Sequence, residues 1–72
     1  MTNEEIAIRI LTRYGYNVRL NRDNYGEVRS AIIQVLDLAD EGNHSEAKKR
    51  AVPLDEVLRA DVEAVIEKKG AK

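Results

Sequence analysis

Cysteine is absent from this chain of 72 residues, which excludes a disulfide framework and a cysteine-based zinc site. Tryptophan and phenylalanine are missing as well, so Tyr14, Tyr16 and Tyr25 make up the aromatic content. No apolar run approaches the roughly 20 residues that a membrane-spanning helix needs. The opening Met-Thr-Asn-Glu-Glu has neither the basic region nor the apolar core of a signal peptide. The expected address is therefore the cytoplasm, with no membrane partner. An excess of one charge is lacking too: 12 Lys and Arg stand against 13 Asp and Glu, for a net charge of −1. As a whole the chain is neither a polycation suited to nucleic acid nor an acidic mimic of it.

What is there describes a folded domain. With 43% hydrophobic and 35% charged residues, the composition is globular rather than disordered. Residues 1–72 suffice for a single domain, and one this short buries only about 60–65% of its unfolded surface. Its core must be thin. The cations are unevenly spread. Arg9, Arg13, Arg19 and Arg22 follow one another with no acid between them, interleaved with Tyr14, Tyr16, Asn17 and Asn21. Every lysine lies at Lys48 or beyond.

Periodicity predicts mostly helix. Residues 3–14 carry Ile6, Ala7, Ile10, Leu11 and Tyr14 on one face, with Thr2 or Asn3 to cap and Gly15 to stop. Residues 24–41 carry Tyr25, Val28, Ile32, Val35, Leu36 and Ala39, with Gly42 after them. Asn24 with Glu27, and Asn43 with Glu46, have capping-box spacing. A short helical turn is expected near 44–51. Pro53 suits a first helical position, so a last helix is expected over 53–69, with Leu54, Val57, Leu58, Val62 and Val65 facing inward. One helix kinked at Pro53 is the alternative to two. Between the first two long helices the period changes to two. Tyr16, Val18 and Leu20 alternate with Asn17, Arg19 and Asn21, the pattern of a half-buried strand or of a connector pinned to the core.

Residues able to carry chemistry are sparse. His44 is the single histidine, with no ligating cluster around it in sequence, and reads as a surface residue at a helix entry. The four glycines form no phosphate-cradling loop. Ser30 lacks a nearby His–acid pairing, and a nucleophile needs an activating base. The expectation is a non-enzymatic protein without cofactor or metal. Asp37, Asp40 and Glu41 sit at the end of the second long helix, where they oppose its dipole unless something basic meets them. Asp61 projects into the last apolar stripe. It needs either water at the rim of the core or a partner Arg or Tyr, from the first helix or a second copy.

Two kinds of binding remain. The first is to protein. Ile8, Ile33 and Ile66 fall off the apolar stripes, thin-cored domains gain stability by oligomerising, and an extended 16–21 segment could join a partner's sheet. The second is to DNA. Residues 16–22, the helix after them, Gly42 and a further helix start loosely resemble the ribbon-helix-helix family of DNA-binding regulators. That resemblance implies a dimeric ribbon whose Asn17, Arg19 and Asn21 read the major groove. It covers about half the chain, and departs from the family in the preceding helix, the longer next helix and Pro53.

The first reading is preferred. The chain is expected to be an all-α bundle of three main helices plus the short turn near 44–51. It would be a small regulatory or inhibitor-type protein that binds another protein and self-associates, with a DNA-binding regulator as the alternative. The candidate partner-binding residues are Arg9, Arg13, Tyr16, Asn17, Arg19, Asn21 and Arg22.

Overall fold

Where apolar positions recur at three- and four-residue spacing, helices form: α1 (Asn3–Arg13), α2 (Tyr25–Asp40), α3 (His44–Ala51) and α4 (Glu56–Gly70). The structure is a computed structural model and describes residues 1–70. The all-α bundle expected from the sequence is what forms, and no strand occurs among the described residues. None of the described helices is long and apolar enough to cross a membrane.

The helix ends follow from local chemistry. Thr2 Oγ1 accepts the Glu5 N–H at 3.2 Å and caps α1, which leaves Asn3 free for another task. Both α1 and α2 finish in the same motif. Gly15 N–H bonds to Thr12 O and Tyr16 N–H to Leu11 O; Gly42 N–H bonds to Ala39 O and Asn43 N–H to Leu38 O. Each pair satisfies the last carbonyls of its helix and needs a left-handed residue between them. Gly15 and Gly42 supply it, at φ 79° and 88°. The two expected capping boxes are not made. Asn24 and Asn43 precede α2 and α3 without a side-chain cap bond, because their backbones (ψ −3° and 60°) lie outside the extended geometry that side-chain capping uses.

Pro53 separates α3 from α4 instead of opening α4. The chain turns, with Leu54 N–H on Ala51 O, and Asp55 Oδ1 then accepts the Val57 N–H at 3.0 Å. The last helix therefore starts at Glu56, and 44–51 is a two-turn helix of its own.

α2 is the central element, and α1, α3 and α4 each pack on it. Ala7, Ile10 and Leu11 meet Ile32, Val35, Leu36 and Ala39, and the far side is closed by Ala47, Ala51, Leu58, Val62 and Ile66. The molecule measures 37 × 24 × 17 Å. Its thinnest dimension is less than two helix diameters, each roughly 10–12 Å, so every helix keeps much of its surface in water.

Two expectations fail here. Ile66 lies in the core at 0% exposure, whereas Val57 is 49% exposed. With Leu58, Val62, Val65 and Ile66 all apolar, α4 offers two overlapping stripes, and the bundle uses the i, i+4, i+8 row Leu58–Val62–Ile66. The second is the strand reading of 16–21; its alternative, a connector, is what forms. Asn17 Oδ1 accepts the N–H groups of both Arg19 and Leu20 at 2.9 Å, and Asn17 O accepts the Asn21 N–H at 2.9 Å. Asn21 O in turn accepts from Asn24 and Tyr25. Asparagine side chains that bond their own backbone two or three residues on make turns. Here that local bonding overrides the period-two pattern.

Candidate functional site

The Arg-rich stretch divides into two surfaces. Arg9 and Arg13 stand on the exposed side of α1, where they face α4. Arg13 Nη1 lies 3.5 Å from Asp61 Oδ2. Asp61 is thus at the rim of the core and also paired to the first helix, which combines the two expectations for it. The carboxylate has a further neighbour in Tyr14. Desolvation, and then the negative charge of Asp61, hold the Tyr14 phenol above its ordinary pKa.

Residues 16–22 form the second surface. Tyr16 is half-buried and packs against the core. Asn17 is spent on its turn, and Asn21 is half-buried with Nδ2 reaching Gly15 O at 3.5 Å. Arg19 and Arg22 are exposed. So are Val18 and Leu20, at 62% and 79%. Of the three apolar residues expected to pin this segment, only Tyr16 does so. The outward display of Val18 and Leu20 escaped sequence reasoning. The signal that could have found it is Asn17 itself, since an asparagine side chain can bond its own backbone two residues on.

The acidic end of α2 has found its basic neighbour. Asn3 Nδ2 donates to Asp37 Oδ1 and Asp40 Oδ2, both at 2.7 Å, and Lys69 Nζ donates to Asp40 Oδ1 at 2.7 Å. This clamp ties the start of α1 and the end of α4 to the end of α2. It also offsets the unfavourable dipole there. The bonds from Lys69 and then Asn3 lower the Asp40 pKa below its ordinary value.

That shift has a definite sign. Because the folded pKa lies below the unfolded one, Asp40 contributes stability above the usual carboxylate pKa and loses it as pH falls through the folded value. Half-exposed, it contributes at most about 1 kcal/mol. Urea unfolding at about pH 7 and about pH 3 is expected to show a larger acid loss in the parent than in Asp40→Asn. Equal losses would mean that the clamp adds nothing.

His44 opens α3 but is half-buried rather than at the surface. Its Nε2 is shielded and has no hydrogen-bond partner among the described residues, and a Cβ on Gly70 would lie 2.8 Å from it. Glycine at that position lets the end of α4 close over the ring.

Two of the grooves on the described surface have largely apolar linings. One of about 590 Å³ lies between α2 and the α3–α4 turn, on Val28, Ala31, Pro53 and Leu54. Its acids Glu27 and Glu46 balance its cations Lys49 and Arg50. The other, about 450 Å³, lies between α1 and α4 and includes Arg9, Arg13 and Lys68. No protein-family model, curated protein or solved structure matches this chain.

Proposed function

We propose that this chain is a small regulatory or inhibitor-type protein that acts by binding another protein rather than by catalysis. In this reading it works in the cytoplasm and self-associates through the 17–22 turn. The observation that carries the reading is the outward display of Val18 and Leu20 on either side of Arg19. Burying an aliphatic side chain of that size contributes roughly 1.5–3 kcal/mol. Arg19 and Arg22, exposed on the same turn, would lie at the polar rim of such a contact.

The same geometry favours protein over DNA. A ribbon would present Asn17, Arg19 and Asn21 together to base edges. In the turn, the Asn17 carbonyl is bonded to its own backbone and Asn21 is half-buried. Light scattering over a concentration series, with and without a DNA duplex at low and high salt, tests the reading. The expected result is self-association that DNA leaves unchanged. A monomer that forms a salt-sensitive complex with the duplex would overturn it.

A further inference from the structure

α1 packs chiefly on α2 and only lightly on α4, which leaves the groove of about 450 Å³ between them. Ile10 is buried and Ile6 and Val65 are half-buried, so these three form its floor. Arg9 on the α1 side and Lys68 on the α4 side are exposed and form its walls. The Arg13–Asp61 pair closes one end. We propose that this groove takes two turns of an acid-bearing amphipathic helix from another protein. The proposal rests on the protein-binding reading above and names the class of partner.

The length comes first. From Asp61 to Lys68 the α4 wall rises roughly 10 Å, which is two turns of an incoming helix. Such a helix reaches the floor with apolar side chains at i, i+4 and i+7, the usual anchors of a helix seated in a groove. Ala64, small and exposed on the α4 wall, gives its backbone room to approach.

Charge selects the flanks. Asp61 is already matched by Arg13, whereas Arg9 and Lys68 take part in no ion pair among the described residues. In a chain of net charge −1, this groove joins an apolar floor to two cations without an ion pair among the described residues, one on each wall. Carboxylates on both sides of an apolar stripe fit that arrangement, and lysines repel it. A second copy of this chain is the poorer occupant. None of its described helices shows more than one of the large exposed apolar side chains that would serve as anchors.

The test uses two labelled peptides of about 18 residues, one with leucines at i, i+4 and i+7 flanked by glutamates, the other with lysines in their place. Fluorescence anisotropy gives affinity, and amide chemical-shift mapping on the full chain gives location. The glutamate peptide is expected to bind at least about tenfold tighter than the lysine peptide. It is also expected to shift Ile6, Ile10 and Val65 while leaving Val18 and Leu20 unmoved. Arg9→Glu with Lys68→Glu, both at exposed positions, should weaken it about tenfold with circular dichroism unchanged. No binding of the glutamate peptide overturns the proposal. So do equal affinities for the two peptides, shifts centred on Val18 and Leu20, or tighter binding of a DNA duplex or anionic vesicles at the same residues. Self-association is read without peptide and through a different surface, so its failure is separate from failure here.

Discussion

Ile66→Ala is expected to remove about 2–5 kcal/mol of stability, the cost of truncating a fully buried aliphatic side chain. Val57→Ala, nine residues earlier on the same helix, is expected to cost under about 0.5 kcal/mol. The contrast rests chiefly on position, since Ile66 is 0% exposed and Val57 is 49%. Ile66 belongs to the row with Leu58 and Val62 that closes the core beneath α2. A domain under about 80 residues rarely holds more than 3–5 kcal/mol in reserve, so Ile66→Ala should be largely unfolded at body temperature. Thermal melts followed by circular dichroism decide the matter. Equal melting points for the two variants would mean that α4 turns a different face to the core.

The second large effect is on association. Changing Val18 and Leu20 together to serine removes two exposed aliphatics per chain, and the folded monomer loses almost no packing with them. Its stability should move by less than about 0.5 kcal/mol. If these side chains meet a second copy, however, each contributes roughly 1.5–3 kcal/mol of burial to the contact. The dissociation constant of the assembly should therefore rise about 100-fold or more. An unchanged melting curve of the dilute monomer is the control that the turn itself survives, since Asn17 still accepts from the backbone of residues 19 and 20.

Much of the bundle was legible because caps and stripes agreed. Thr2, Gly15 and Gly42 mark the ends of α1 and α2, and Ile32, Val35, Leu36 and Ala39 mark the buried face of α2. α4 was harder for a physical reason. Val57, Leu58, Val62, Val65 and Ile66 cover so broad a face that spacing alone does not select the inward row. Of the two readings open for residues 16–21, the connector forms rather than the strand, because their alternation is local. The Asn17 side chain closes a turn on its own backbone, and no second strand exists among the described residues to reward extension.

The candidate surface shows the same division. A cationic stretch from Arg9 to Arg22 is visible in the sequence as charge. That Arg9 and Arg13 line a groove with α4, while Arg19 and Arg22 ride on the turn, depends on residue 13 meeting residue 61. Asp61 did announce its need for a partner. The sequence could not say which of the arginines or tyrosines would answer.

Sedimentation equilibrium on the parent chain and the Val18→Ser, Leu20→Ser chain, side by side over a range of concentrations, tests the central claim most directly. The account predicts that the parent is associated at concentrations where the double variant is monomeric, with the two equally helical. A parent that stays monomeric throughout, or a double variant that associates as tightly as the parent, would contradict it.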